Sequence, residues 1–218
     1  MVMKNRFTAP AASLLLFSLL IVASSQADTI LGSAGTATDS NQSNSTGGAT
    51  VEIARNTAWA PAMNGSSWVS FGLTGDTSNS GFFVVPNGTK VSFFDTFNVS
   101  GTPTGGSLSV MADDSASVFL NGVLLHGEAS GKGNKYVTCS DFGIGCVKPT
   151  TFDISASDLL SGSNTLQFDV AQRAGSSYGL DYAGEVTATP EPSTVSLFGF
   201  GLLMLAGGFM FRKREVVA

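Results

Sequence analysis

The stretch SVFLNGVLL, residues 117–125, decides the fold class. Two apolar runs flank the dipeptide Asn121-Gly122 in it. A two-residue turn between antiparallel strands requires positive φ at both central residues, and Asn-Gly meets this requirement easily. The stretch therefore predicts a tight β-hairpin with Asn121-Gly122 at its tip.

The hairpin is one of a series of short runs rich in Val, Phe, Thr and Tyr, broken by turn-forming residues such as Pro86-Asn87-Gly88. Strands at this spacing are typical of an all-β sandwich or barrel. One short helix is expected at 155–160, because Ser155 is a favourable cap and Asp158 follows three residues later. We predict an all-β fold, a single antiparallel β-sandwich over residues 49–188. The predicted strands are 49–54, 67–73, 81–85, 90–99, 107–112, 116–120, 123–125, 150–154, 164–171 and 177–187.

Composition and charge limit the function classes. The body of the chain, residues 28–188, carries 6 cations and 14 anions, a net charge of −8. Such a body repels nucleic acid, so no nucleic-acid partner is expected. The chain has one His and two Cys, which excludes a tetrahedral zinc cage of Cys and His. The one imidazole, His126, is expected to be an ordinary side chain at the hairpin edge. Residues 28–48 are rich in Ser, Thr, Asn and Gly and are expected to be a flexible leader.

Residues 1–27 have the organisation of a secretory signal peptide. Lys4 and Arg6 supply a positive start, and an uncharged apolar run of 13 residues follows at 11–23. Ser25-Gln26-Ala27 then places small residues at the −3 and −1 positions of a cleavage site. The apolar run is short for a bilayer span. We therefore predict export across the inner membrane, with a buried N-terminal helix as the alternative.

A second apolar run, residues 195–211, lies near the C-terminus. It has 17 residues and no charge, which corresponds to about 26 Å of helix, near the minimum for a membrane span. Arg212, Lys213 and Arg214 follow at once. Because cations remain on the cytoplasmic side, the body would lie outside the membrane. The sequence thus predicts a C-terminal transmembrane helix with a basic anchor.

The tripeptide Pro190-Glu191-Pro192 stands shortly before this predicted helix. The order of Pro-Glu-Pro, short apolar helix and basic cluster closely resembles the PEP-CTERM sorting signal over residues 189–218. The resemblance implies a Gram-negative exporter and an exosortase as partner, which recognises Pro190, Glu191 and Pro192 and removes the tail. Two prolines hold the backbone extended, which suits a protease groove. The implied destination is the cell surface or the extracellular space.

The middle of the body resembles another family. The aspartate pair Asp113-Asp114 precedes the hairpin strand, and a Phe152-Asp153-Ile154 strand and a Gly162-Ser-Asn-Thr-Leu166 segment follow downstream. This pattern resembles the galactose-binding-type jelly rolls of family 2 glycoside hydrolases and of carbohydrate-binding modules. The aspartate pair is also similar to that of the lectin-like domain first seen in anthrax protective antigen. The resemblance implies a jelly roll in which Asp113 and Asp114 hold calcium beside a sugar. A plain turn into the next strand is the alternative.

Two further groups of residues are candidates for a functional site. Sugar binding uses exposed aromatic faces. The aromatic candidates are Trp59, Trp68, Tyr136, Tyr178 and Tyr182. Of these we select Trp59 and Tyr136, whereas Trp68 lies in an alternating strand and is expected in the core. Cys139 and Cys146 are expected to form a disulfide in an oxidising compartment. A redox-active pair is the alternative, although the Cys-x-x-Cys spacing is absent.

The leading hypothesis is an exported, non-enzymatic surface or matrix protein that binds polysaccharide, without catalytic residues. A secreted glycan hydrolase or lyase stays open as an alternative, because paired carboxylates can cleave glycosides. A structural matrix protein without a defined ligand is another. Ice binding is not supported, because the sequence has no regular Thr-x-Thr array.

Overall fold

A computed structural model of the chain describes residues 28–128, 139, 143–189 and 201–202. Over these ranges the fold is nearly all β, which confirms the predicted fold class. A short 3-10 helix occupies Ala156–Asp158. The strands of the described residues are β1 (Thr29–Gly32), β2 (Gln42–Asn44), β3 (Val51–Glu52), β4 (Val69–Ser70), β5 (Lys90–Val99), β6 (Thr102–Asp113), β7 (Ser115–Leu120), β8 (Val123–His126), β9 (Thr150–Ile154), β10 (Gly162–Ala171) and β11 (Gly179–Thr189).

The strands form two antiparallel sheets that pack face to face. Sheet A has the order β3-β4-β11-β6-β9, with β1 also paired to β11, and sheet B has the order β2-β5-β10-β7-β8. The chain passes from sheet A to sheet B between β6 and β7, at Asp113-Asp114. The central pairings are long: β6 pairs with β11 from Thr102 to Asp113 of β6. The predicted single antiparallel sandwich is therefore confirmed.

The core lies between the sheets because the long strands alternate. In β5, Val91, Phe93, Asp95 and Phe97 are buried, while the intervening Ser92, Phe94 and Thr96 are partly exposed. The rings of Phe168 on β10 and Tyr182 on β11 stack across the gap with centroids 4.4 Å apart. Since burial of apolar surface stabilises by about 25 cal/mol per Å², this layer supplies the main driving force for folding.

A carboxylate is buried within the same layer. The Tyr182 hydroxyl donates a hydrogen bond to Asp95 Oδ2 at 2.8 Å. Desolvation raises the pKa of Asp95, and the hydrogen bond from Tyr182 opposes that rise. The ionised form of Asp95 is therefore less favourable in the folded protein than in the unfolded chain.

A second buried carboxylate, Asp181, holds a loop against β11. It accepts hydrogen bonds from the Ser66 hydroxyl at 2.5 Å, the Met63 backbone N–H at 3.0 Å and the Ser33 hydroxyl at 3.1 Å. Desolvation raises its pKa, and these donors counteract the rise. Asp181 thereby fixes the loop that leads from Trp59 into β4.

The predicted hairpin is confirmed. Asn121 has φ 52° and Gly122 φ 82°, and Leu120 pairs with Val123 across the turn. The Asn121 side-chain amide also donates to the backbone oxygen of Asp158 at 3.0 Å. The turn is thus tied to the 3-10 helix, so the two features that the sequence marked separately support each other.

The expectation of a flexible leader at 28–48 is corrected by the structure. β1 pairs with β11 and β2 pairs with β5, so this segment adds one strand to each sheet. Leu31 is 2% exposed and belongs to the core. Gln42 is equally buried, and its side chain bonds to the backbone of Gly32 and Gly35. Composition misled here because three polar side chains of this segment, those of Ser33, Gln42 and Asn44, are buried and hydrogen-bonded instead of being solvated.

Two local expectations also differ from the structure. Residues 81–85 form no strand, because only Val85 bridges to Ser176 and the segment before it turns back through a Phe82 N–H to Asn79 carbonyl bond. The predicted helix at 155–160 is shorter, and Ser155 makes no side-chain capping bond.

Several predicted segments lie outside the described residues. They are the signal peptide 1–27, the tripeptide Pro190-Glu191-Pro192, the basic residues Arg212, Lys213 and Arg214, and the transmembrane helix 195–211 apart from Gly201 and Leu202. Within the described ranges, no helix has the length and apolar character needed to cross a bilayer.

Candidate functional site

A second apolar cluster covers part of the outer face of sheet A. Val110 and Ala112 on β6 face the sandwich core, so Met111 between them points to the other side. Trp59 and Trp68 pack there with ring centroids 4.4 Å apart. Trp68 is 2% exposed, which confirms that it is a core residue. The outer side of β6 thus carries a small core of its own.

A disulfide between Cys139 and Cys146 closes this cluster, as the sequence predicts. Cys146 is fully buried, and its carbonyl accepts a hydrogen bond from the Ala60 N–H at 2.9 Å. The Gly145 carbonyl accepts another from the Ala112 N–H of β6 at 3.1 Å. The disulfide loop is therefore attached both to the tryptophan segment and to the end of β6.

A pocket of about 140 Å³ opens to solvent at this end of β6. It lies where the tryptophan segment, the sheet crossover and the loop before β11 meet. Its wall includes the side chains of Asn56, Trp59, Asp113, Asp114, Cys139 and Ser176.

The aspartate pair forms the most polar part of the pocket wall. Asp113 is 7% and Asp114 5% exposed, and the peptide bond between them is cis. The indole N–H of Trp59 donates to Asp113 Oδ2 at 2.8 Å. The backbone N–H of Arg173 donates to Asp114 Oδ2 at 2.6 Å. Each carboxyl group thus has one oxygen fixed by the protein.

The electrostatics of the pair favour a proton at Asp113. Desolvation, together with the hydrogen bond and the charge of Asp114, raises the pKa of Asp113 to about 8, and the hydrogen bond from Trp59 opposes this rise. Two adjacent buried carboxylates repel each other unless a proton or a cation lies between them. The pair therefore favours a ligand that brings either hydroxyl donors or a cation.

The donor chemistry of the pair is compatible with calcium. Calcium takes about six to eight oxygen ligands, from carboxylates, carbonyls and water. Asp113 and Asp114 offer carboxylate oxygens at a solvent-open pocket, and the remaining ligands would come from water or a bound hydroxyl compound. Among the described residues there is no group of three or more His, Cys, Asp or Glu side chains suited to a metal.

The predicted site residues are only partly brought together. Asp113, Asp114 and Trp59 share the pocket, and Cys139 belongs to its wall. Trp59 is 4% exposed, so it offers an edge instead of the open ring face that was expected. His126 stacks on Phe152 with centroids 5.4 Å apart, at the hairpin edge. Tyr136 lies outside the described residues.

Sequence reasoning missed Asn56 and Ser176. Asn56 fixes its own loop, because its Oδ1 accepts the Ala58 N–H at 2.9 Å and its amide donates to the Ser177 hydroxyl at 2.8 Å. Neither residue belongs to a motif or an alternating strand. Their position beside Asp113 follows from sheet pairing across more than 50 residues of sequence, which no local signal reports.

The C-terminal segment matches a known family model. The match is to the PEP-CTERM protein-sorting motif and covers residues 188–214. The predicted sorting signal is thereby confirmed. The motif implies export, sorting to the cell surface or exterior, and processing by an exosortase. No curated protein matches the sequence.

The structure is similar to several solved structures. A Streptomyces avermitilis α-L-rhamnosidase complexed with L-rhamnose matches with TM-score 0.40 and 17% identity, over 69% of this chain and 15% of that one. A family 35 carbohydrate binding module from Clostridium thermocellum matches with TM-score 0.38 and 10% identity, over 73% and 97%. The CBM36-1 domain of a xylanase from the hindgut metagenome of Trinervitermes trinervoides matches with TM-score 0.33 and 12% identity, over 76% and 100%. The chain thus spans about 15% of the length of the rhamnosidase.

Proposed function

We propose that this protein is an exported, non-enzymatic glycan-binding protein of the cell surface or extracellular matrix. The observation that carries the proposal is the open pocket in which the Asp113-Asp114 pair lies beside Trp59 and Asn56. Hydroxyl groups of a sugar donate well to carboxylate oxygens, and charge-assisted hydrogen bonds of this kind are the stronger ones. The small volume suits one terminal sugar unit of a larger glycan.

The sorting motif supports the place of action. A protein released to the surface by an exosortase encounters polysaccharides of the envelope and the matrix. The exosortase is then a processing partner, and the C-terminal helix is a membrane anchor that is removed. The negative body charge favours neutral glycans over anionic ones.

The pair is poorly arranged for glycoside hydrolysis. Glycosidases need two carboxyl groups about 5–5.5 Å apart to retain configuration, or about 6.5–9.5 Å apart to invert it. The side chains of Asp113 and Asp114 are instead hydrogen-bonded to each other. A pair in direct contact is closer together than either arrangement requires, so we favour binding over hydrolysis.

Calcium is proposed as a partner of the bound sugar. Asp113 and Asp114 would hold it, and the sugar hydroxyls would complete the oxygen set. The ion would supply a charge that neutralises the pair and orients the hydroxyl groups.

A glycan array probed with the full-length protein in mild detergent tests the proposal. The key variant is Asp114→Asn, which keeps an oxygen for the Arg173 N–H and removes the charge. We expect at least tenfold weaker binding, while the matched control Asp153→Asn, at an exposed position of β9, binds normally. Release of reducing ends from the same glycans would instead favour the hydrolase. Normal binding by Asp114→Asn would remove the pocket from the function.

A further inference from the structure

The outer face of sheet B carries two phenylalanines outside the core. Phe94 on β5 and Phe119 on β7 alternate with buried neighbours and are partly exposed. Both pair in register with Gln167 on the central strand β10. Neither ring contacts another aromatic ring of the described residues, and neither belongs to the clusters packed against the core. Phe94, Gln167 and Phe119 therefore form a row across the sheet, called here the phenylalanine row.

Polar side chains border the row on one side. Asp169 accepts hydrogen bonds from the Gln167 amide at 2.8 Å and the Ser92 hydroxyl at 2.7 Å. The Gln167 side chain is thereby held in place between the two rings. Its carbonyl oxygen accepts no hydrogen bond from the described part of the chain. The row thus alternates an apolar ring, a polar amide and an apolar ring.

The charges of this face are compensated in pairs. Lys90 Nζ lies 3.2 Å from Asp169 Oδ2, and Arg173 Nε donates to Glu128 Oε1 at 2.9 Å. The face is therefore close to neutral although the body carries −8. A strongly basic or acidic partner would find no complementary net charge on this face. A neutral polar chain needs none.

The shape of the row follows from sheet geometry. Phe94 and Phe119 are two strands apart, and neighbouring strands are about 4.8 Å apart, so their Cα atoms are separated by about 10 Å. All five strands of sheet B together span about 19 Å on the same spacing. This length accommodates several sugar units of an extended chain laid across the strands.

We propose that the phenylalanine row is a second glycan-binding site, which takes an internal stretch of a neutral, extended polysaccharide. The apolar faces of alternate sugar rings stack on Phe94 and Phe119, and Gln167 bonds to the hydroxyl groups between them. A second copy of this chain is a poorer occupant, because stable protein interfaces bury a continuous apolar centre, and here an amide separates the rings. The inference rests on the proposed function in taking a glycan as ligand, but it uses a different face of the sandwich.

The test compares affinity with chain length. The full-length protein in mild detergent is titrated with monomers to hexamers of β-1,4-linked glucose, xylose, mannose and galactose. We expect affinity to rise with length for at least one ladder. Phe94→Ala and Phe119→Ala should each weaken hexamer binding about tenfold, as loss of a half-covered ring predicts. Phe119→Tyr keeps the ring and should keep the affinity.

Controls separate the two sites. Phe83→Ala removes a ring that is 43% exposed elsewhere and should leave binding unchanged. Circular dichroism and the Tm establish that each variant is folded. A length gain that survives the double variant Phe94→Ala/Phe119→Ala overturns the inference, as does the absence of length dependence on all four ladders. Loss of hexamer binding in this variant with normal binding by Asp114→Asn would support the row and remove the pocket.

Discussion

Asp113→Asn is expected to stabilise the protein in the absence of calcium. The amide keeps an oxygen for the Trp59 indole and gains an N–H for Asp114, while one of two adjacent buried charges disappears. The pKa of Asp113 rises from 3.8 to about 8 on folding, and at about 1.4 kcal/mol per unit this sets a ceiling of about 6 kcal/mol. Because the new amide must itself be desolvated, we expect a gain of about 1–3 kcal/mol at pH 8.

The sign of the pH dependence follows from linkage. A carboxyl group with a raised pKa stabilises the fold fully below about pH 4, and this contribution is lost as pH rises towards 8. Asp95 and Asp181 also have raised pKa values, and the substitution leaves both residues in place. The difference between wild type and Asp113→Asn therefore isolates Asp113. It should be small at pH 4 and grow to about 2–10 °C in Tm at pH 8.

The assay is thermal unfolding from pH 4 to pH 8 with a chelator present. Asp153→Asn is the matched control, because it removes an exposed carboxylate on β9, outside the buried pair. A stability difference between wild type and Asp113→Asn that stays constant with pH would refute the account of the buried pair. A lower Tm for Asp113→Asn at pH 8 would refute it equally.

Three further outcomes are expected. Calcium at 10 mM should raise the Tm of wild type, because dissociation constants of about 10⁻⁴–10⁻³ M correspond to a stabilisation of about 1.4–2.7 kcal/mol. Asp114→Asn should lose this gain. An unchanged wild-type Tm would leave the pair as turn residues. Thiol titration of the unfolded, unreduced protein should find no free thiol, and free thiols would exclude the bond. The double variant Cys139→Ser/Cys146→Ser should lose about 2–3 kcal/mol of folding stability together with sugar binding. Asn121→Ala should lose about 1–2 kcal/mol of stability, because Ala disfavours φ 52° and cannot bond to Asp158; an unchanged denaturation midpoint would contradict this.

The parts of the fold that were predictable are those with strictly local causes. The hairpin follows from the φ requirement at Asn121-Gly122, and the bounds of β5 (Lys90–Val99) and β9 (Thr150–Ile154) agree with the predicted runs. Alternation over these strands reports which side faces the core. The aspartate pair was found because it belongs to a motif at a fixed distance from the hairpin.

The rest of the site depends on contacts between distant segments. Trp59 meets Asp113 only because β4 and β6 both pair with β11 in sheet A. The Trp59 ring is buried, and acts as a hydrogen-bond donor, in a cluster to which the distant residues Cys139 and Cys146 also belong. The phenylalanine row was equally invisible, because its members are on three strands whose register is set by the sheet.

The N-terminal segment offers the sharpest contrast between composition and structure. A flexible leader predicts that substitutions at residues 30 and 31 have no effect on stability. The structure predicts a large difference, because Leu31 is 2% exposed in the core whereas Ile30, its neighbour in β1, is 72% exposed. Leu31→Ala should therefore lose about 2–4 kcal/mol, and Ile30→Ala less than about 0.5 kcal/mol. Chemical denaturation of the full-length protein in detergent measures both. Equal stability of the two variants would mean that β1 does not close the edge of β11 in solution, and that the sandwich begins further along the chain.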